Sequence, residues 1–158
     1  MARINFDLED DHERGIAAVV KEFELIGLEM TAIAADKLDA EDVNVDGTLK
    51  RSISHEVQVF LKKVVMLIFG ANAAHAPFIE FGTAAHWPPP APIEEWVRKK
   101  LPSVPAQQIQ EVAFLVARKI SEEGTEAVGF IEHALDRIVP KFAERVEAAY
   151  ALGFNSLF

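Results

Sequence analysis

An α+β fold, a small antiparallel sheet over about 49–70 packed with a long N-terminal helix and C-terminal helices, is predicted by three features of the 158-residue sequence. Apolar residues recur at helical spacing from Asp10 to Leu38, the spacing shifts to period two after the turn signal Asp46-Gly47, and helical spacing returns beyond a proline-rich segment. A chain of this length builds one hydrophobic core more readily than two, so a single domain over 1–158 is expected.

In the first segment, Ile16, Val19, Val20, Phe23, Ile26, Met30, Ile33 and Ala34 form one apolar stripe, with acids and lysines mostly between them. Gly15 and Gly27 weaken this helix, each by about 1 kcal/mol against Ala. Leu49, Ile53, Val57, Val59 and Leu61 then share one parity, which predicts a half-buried strand, or two strands in line broken by a bend near Ser54. Val64 to Gly70 is a continuous apolar run and is expected to be a central strand covered on both faces. The two runs read as an antiparallel pair, although the turn lacks Asn-Gly.

His75 to Thr83 predicts a short extended or turn element. Pro88, Pro89, Pro90 and Pro92 predict a stiff polyproline arm, and a short helix is expected from Ile93 to Leu101, with Pro92 in its first turn. A helix starting near Pro105 buries Ile109, Val112, Ala113, Val116 and Ile120 and stops at Gly124, with Thr125 as a candidate cap for the last helix. That helix carries Val128, Ile131, Leu135, Ile138, Phe142, Val146 and Ala149 through Pro140 without a change of phase, so one kinked helix is expected.

Half the residues are apolar and 26% are charged, an ordinary balance for a soluble domain. The net charge of −9, with no cluster of Lys and Arg beside aromatics, excludes a tight nucleic-acid binder, which must neutralise phosphates. The absence of cysteine excludes disulfides, thiolate nucleophiles and cysteine-ligated zinc. No secretory leader is read at the start, so a cytoplasmic product is expected, and the longest apolar run falls far short of the roughly 20 residues of a membrane helix.

Candidate chemistry is sparse. His75, Glu80 and His86 are close in sequence and define a metal-dependent hydrolase as the competing reading, but prolines around both histidines deny them the helical spacing zinc hydrolases use. His75 is read as a packing residue and His86 as a surface or interface one. Glu94-Glu95 and Glu122-Glu123 diverge by about 100° on a helix and cannot flank one bond. Serine elbows and phosphate loops are missing, so no catalytic residue, cofactor or metal is expected. Trp96 is read as core and Trp87 as an interface anchor. The terminal Phe154, Leu157 and Phe158 are either covered by a partner or packed back on the same domain.

Gly47-Thr48-Leu49-Lys50-Arg51-Ser52-Ile53, the two-strand stretch, Ala76-Pro77-Phe78-Ile79-Glu80-Phe81-Gly82-Thr83 with its prolines, and Phe130-Ile131-Glu132-His133-Ala134-Leu135 occur in that order. This set resembles the tail-component family of phage neck proteins, with Glu80-Phe81-Gly82-Thr83 its most specific part. Two helices over 93–120 depart from the shorter members. The resemblance implies a non-enzymatic virion protein, made in the bacterial cytoplasm and assembled as a ring, commonly of six subunits, at the head–tail junction. Its partners would be further copies of itself, a head-completion or stopper protein, and a tail-terminator or tail-tube protein; DNA would pass without being bound. The expected interface comprises Phe78, Glu80, Phe81, Gly82, Thr83, Trp87, Pro88, Pro89, Pro90, Phe154, Leu157 and Phe158. A third reading is a prophage-encoded host-interaction protein.

Overall fold

The computed structural model describes residues 8–43 and 46–154, with side chains from His12 onward, and it is α+β. The element order is α1 (Leu8–Ala40), α2 (Thr48–Ser52), β1 (Ile53–Phe60), β2 (Val64–Ala71), α3 (Ala76–Phe81), α4 (Pro90–Lys100), a 3₁₀ turn (Ala106–Gln108), α5 (Ile109–Glu123) and α6 (Phe130–Phe154). No described helix is long and apolar enough to cross a membrane. The described residues gather into two compact units, one of residues 8–35, 53–70 and 131–154 and the other of 36–43, 46–52 and 71–130. Because each unit draws on separated stretches, no single cut in the sequence divides them.

In the first unit Val19, Phe23, Ile26, Met30 and Ala34 are buried along one face of α1, the stripe that the helical spacing predicts. Phe23 meets Phe142 of α6 with ring centroids 5.3 Å apart, and Ala134 and Ile138 are buried on α6. Arg145 ties the same helices by hydrogen bonds to Glu22 at 2.7 Å and Glu29 at 2.6 Å. The bond to Glu29, then that to Glu22, raises the pKa of Arg145. The helical glycines mark close approach: a Cβ on Gly27 would lie 2.3 Å from the His55 ring, and one on Gly15 would lie 2.5 Å from Tyr150. Their helical cost therefore goes with tight packing. Helix α6 continues through Pro140 as one helix, as expected, but it starts at Phe130 and so leaves out Val128, and Leu135, expected on its buried face, is 42% exposed.

The sheet has two strands, and its details correct the sequence reading. Thr48–Ser52 is helical, so the first strand starts at Ile53. Asp46 accepts the Thr48 N–H at 2.9 Å, which holds its carboxyl well below the usual range, at about 2, and fixes the start of this turn of helix. Strand β2 is not covered on both faces, because Val64, Met66 and Ile68 are exposed. The hairpin closes through Lys63 N–H to Phe60 O at 3.0 Å, with Leu61 and Lys62 at φ of 52° and 53°. These are the signs of a type I′ turn, which matches strand twist but favours Asn and Gly at both positions. Replacing Leu61-Lys62 by Asn-Gly should therefore stabilise the chain by about 1–2 kcal/mol, read from a urea unfolding curve; an unchanged or lower midpoint would contradict this account of the turn.

The second unit centres on Val97, Ile109 and Ala113, with Ile93, Val104 and Val112 packed against them. Helix α4 starts at Pro90, three residues before the expected Ile93, and Pro89 caps it at φ −58° and ψ 135°. First-turn N–H groups have no helical partner anyway, so Pro90 and Pro92 fit there without loss. The stiff arm is shortened to His86–Pro89. Trp96, expected in the core, is 37% exposed. Lys100 bonds both the main-chain oxygen and the carboxylate of Asp42 at 2.6 Å.

Candidate functional site

The Glu80-Phe81-Gly82-Thr83 segment is built into a clasp within the second unit. Thr83 and Thr125 exchange backbone hydrogen bonds at 3.0 and 3.1 Å, and their hydroxyls are 3.0 Å apart. Each threonine follows a glycine in a region of φ and ψ that only glycine adopts freely: Gly82 at 68° and −171°, Gly124 at 78° and −155°. The two are reciprocal. A Cβ on Gly82 would lie 2.3 Å from the Thr125 oxygen, and one on Gly124 would lie 2.0 Å from the Thr83 oxygen. Val128 and Gly129 N–H groups donate to the Ile79 and Glu80 oxygens at 2.9 and 3.1 Å, extending the clasp along α3. Thr125 therefore serves this bridge, and α6 starts only at Phe130.

The clasp separates the expected interface residues into two sets. Glu80 and Pro88 are buried by the chain itself, while Gly82 and Thr83 are half-buried in the bridge, so these four serve the fold. Phe78 and Phe81 are 59% and 79% exposed, facing away from the buried Ala76 and Glu80 on the short α3. Trp87 is 53% exposed and rests against Phe114, ring centroids 5.6 Å apart. Pro89 and Pro90 are exposed. Phe154 is half-buried against Tyr150, whereas Leu157 and Phe158 lie outside the described residues.

Between Trp87 and Pro90 on one side and Ala113, Phe114 and Ala117 on the other lies a groove of about 170 Å³, with Glu94 also in its lining. Phe114 was not singled out from the sequence, although it stands off the buried stripe of α5, and an apolar residue out of phase is the available signal. The exposed Leu61 and the bare face of β2 had no such signal.

His75, Glu80 and His86 do not come together: His75 is exposed before α3, Glu80 is buried, and His86 is exposed with Nδ1 2.9 Å from the Ala84 oxygen. Among the described residues no group of three His, Asp or Glu side chains is placed to hold a metal ion. The arrangement that remains is a rigid clasp carrying exposed aromatics, which is suited to binding another macromolecule through apolar anchors. No protein-family model matches the chain, and neither a curated protein nor a solved structure does.

Proposed function

We propose that this chain is a non-enzymatic structural subunit of the head–tail junction of a long-tailed bacteriophage, assembled as a ring between the capsid connector and the tail. The observation that carries the reading is the set of exposed aromatics Phe78, Phe81 and Trp87, of which Phe81 lies in the segment most specific to the neck-protein resemblance and the other two flank it. Large apolar side chains fixed on a rigid support lose little entropy on docking and make strong anchors. The bare face of β2 offers a second apolar contact. The partners would be further copies of the chain, a stopper protein above or below, and a tail-terminator or tail-tube protein. The net charge of −9 suits a channel wall that repels phosphate and lets DNA pass.

The three residues of the competing hydrolase reading do not form a group that could hold a metal ion among the described residues, so no observation favours it. Sedimentation and negative-stain imaging of the purified chain, alone and mixed with tail-tube protein, should reveal closed rings of about six copies, the closed symmetry expected of a soluble homo-oligomer. A chain that stays monomeric under both conditions would count against ring assembly.

A further inference from the structure

We infer that the hairpin tip of one copy inserts Leu61 into the Trp87–Phe114 groove of the next copy. This deepens the ring reading and rests on it. Leu61 is 91% exposed and sits at φ 52°, where the turn favours Asn or Gly. A bulky apolar residue is thus kept at the most exposed point of the hairpin against both solvation and backbone preference. Turn chemistry does not account for it; a contact does.

The groove fits this occupant in size. A cavity of about 150 Å³ holds a group the size of benzene, and this one measures about 170 Å³ between aromatic, proline and alanine walls. A space of this size takes one leucine side chain. Charge is compatible: Lys62 pairs with Glu13 and Glu94 of the groove with Arg98, while Lys63, next to the tip, has no ion-pair partner among the described residues and can join the exposed Glu94–Arg98 pair. Knob and socket are different patches of the same chain, so their contact is head-to-tail, the type that gives a ring where the rotation closes and a filament where it does not. Helices α4 and α5 supply the socket apart from Trp87, which precedes α4.

The sequence contains no cysteine, so disulfide trapping is clean. Leu61→Cys with Phe114→Cys, both at exposed positions, should give a ladder of disulfide-linked species from dimer to full ring on oxidation, while each single variant, whose lone cysteine meets no second thiol across a head-to-tail contact, stays uncrosslinked. Parallel sedimentation of the cysteine-free chain separates the two ideas: rings without a ladder overturn this contact alone, and neither rings nor ladder overturns the ring reading with it. Dimers from Leu61→Cys alone, with no ladder from the pair, indicate tip-to-tip packing and also overturn it. A second arm decouples folding from assembly. Leu61→Asn should raise the unfolding midpoint yet weaken ring assembly at least tenfold, and Leu61→Met should retain it; rings of Leu61→Asn as stable as the parent's contradict the proposal.

Discussion

Gly124→Ala should destabilise the chain by roughly 4–6 kcal/mol, combining about 1–3 for a backbone conformation closed to alanine with about 3, the upper end of the usual range of about 1–3, for overpacking. The overpacking term falls at the high end because the new Cβ would meet the Thr83 carbonyl oxygen at 2.0 Å, and a backbone atom held by its own hydrogen bonds cannot turn aside. Gly82→Ala meets the same obstacle from the other side, at 2.3 Å from the Thr125 oxygen. Against a total stability of about 5–15 kcal/mol, either loss is a large share. Thr125→Val is the control: it removes the hydroxyl contact at an exposed position but leaves the backbone bridge, so it should cost under about 1 kcal/mol. Chemical unfolding curves of the three variants check this. Equal midpoints for Gly124→Ala and Thr125→Val would show that the reciprocal backbone packing is not what holds the loop.

The second large effect is on assembly. Phe81→Ala with Trp87→Ala should leave the fold nearly as stable as before, since both side chains are more than half exposed. Joining of tails to filled heads should nevertheless collapse. Interface anchors of this type contribute about 2 kcal/mol or more each, roughly 30-fold in affinity apiece, and the loss recurs at every subunit of a ring. Infectious titre after complementation of a deletion measures it. A titre equal to that of the parent would remove the aromatics from the interface.

Long periodic segments were legible in the sequence because burial imposes its period on them: the α1 stripe and the continuation of α6 through Pro140 appear as expected, and on α5 Ile109 and Ala113 are buried while Val112, Val116 and Ile120 are half-buried and Ala117, outside the expected stripe, is buried. Short segments were not. Leu49 and Ile53 are four residues apart, which satisfies both a helical turn and a strand's parity, and the chain resolves the ambiguity by ending α2 at Ser52. The apolar run of β2 has the same composition whether a second layer of the chain covers it or solvent meets it, so its bare face was hidden. At the candidate site, the exposed Phe78, Phe81 and Trp87 were visible as motif aromatics. The role of Gly82 and Thr83 was not, because their partners lie 42 residues away and no local pattern announces a pairing of that range.

The central claim is that this chain is a built-in part of the particle at the junction of head and tail. Antibody or gold labelling of an epitope-tagged copy on purified infectious virions, with copy number from quantitative mass spectrometry, tests it most directly. The account predicts label at the neck alone, in a fixed number of copies matching one ring; infectious particles that contain none of the chain would contradict it.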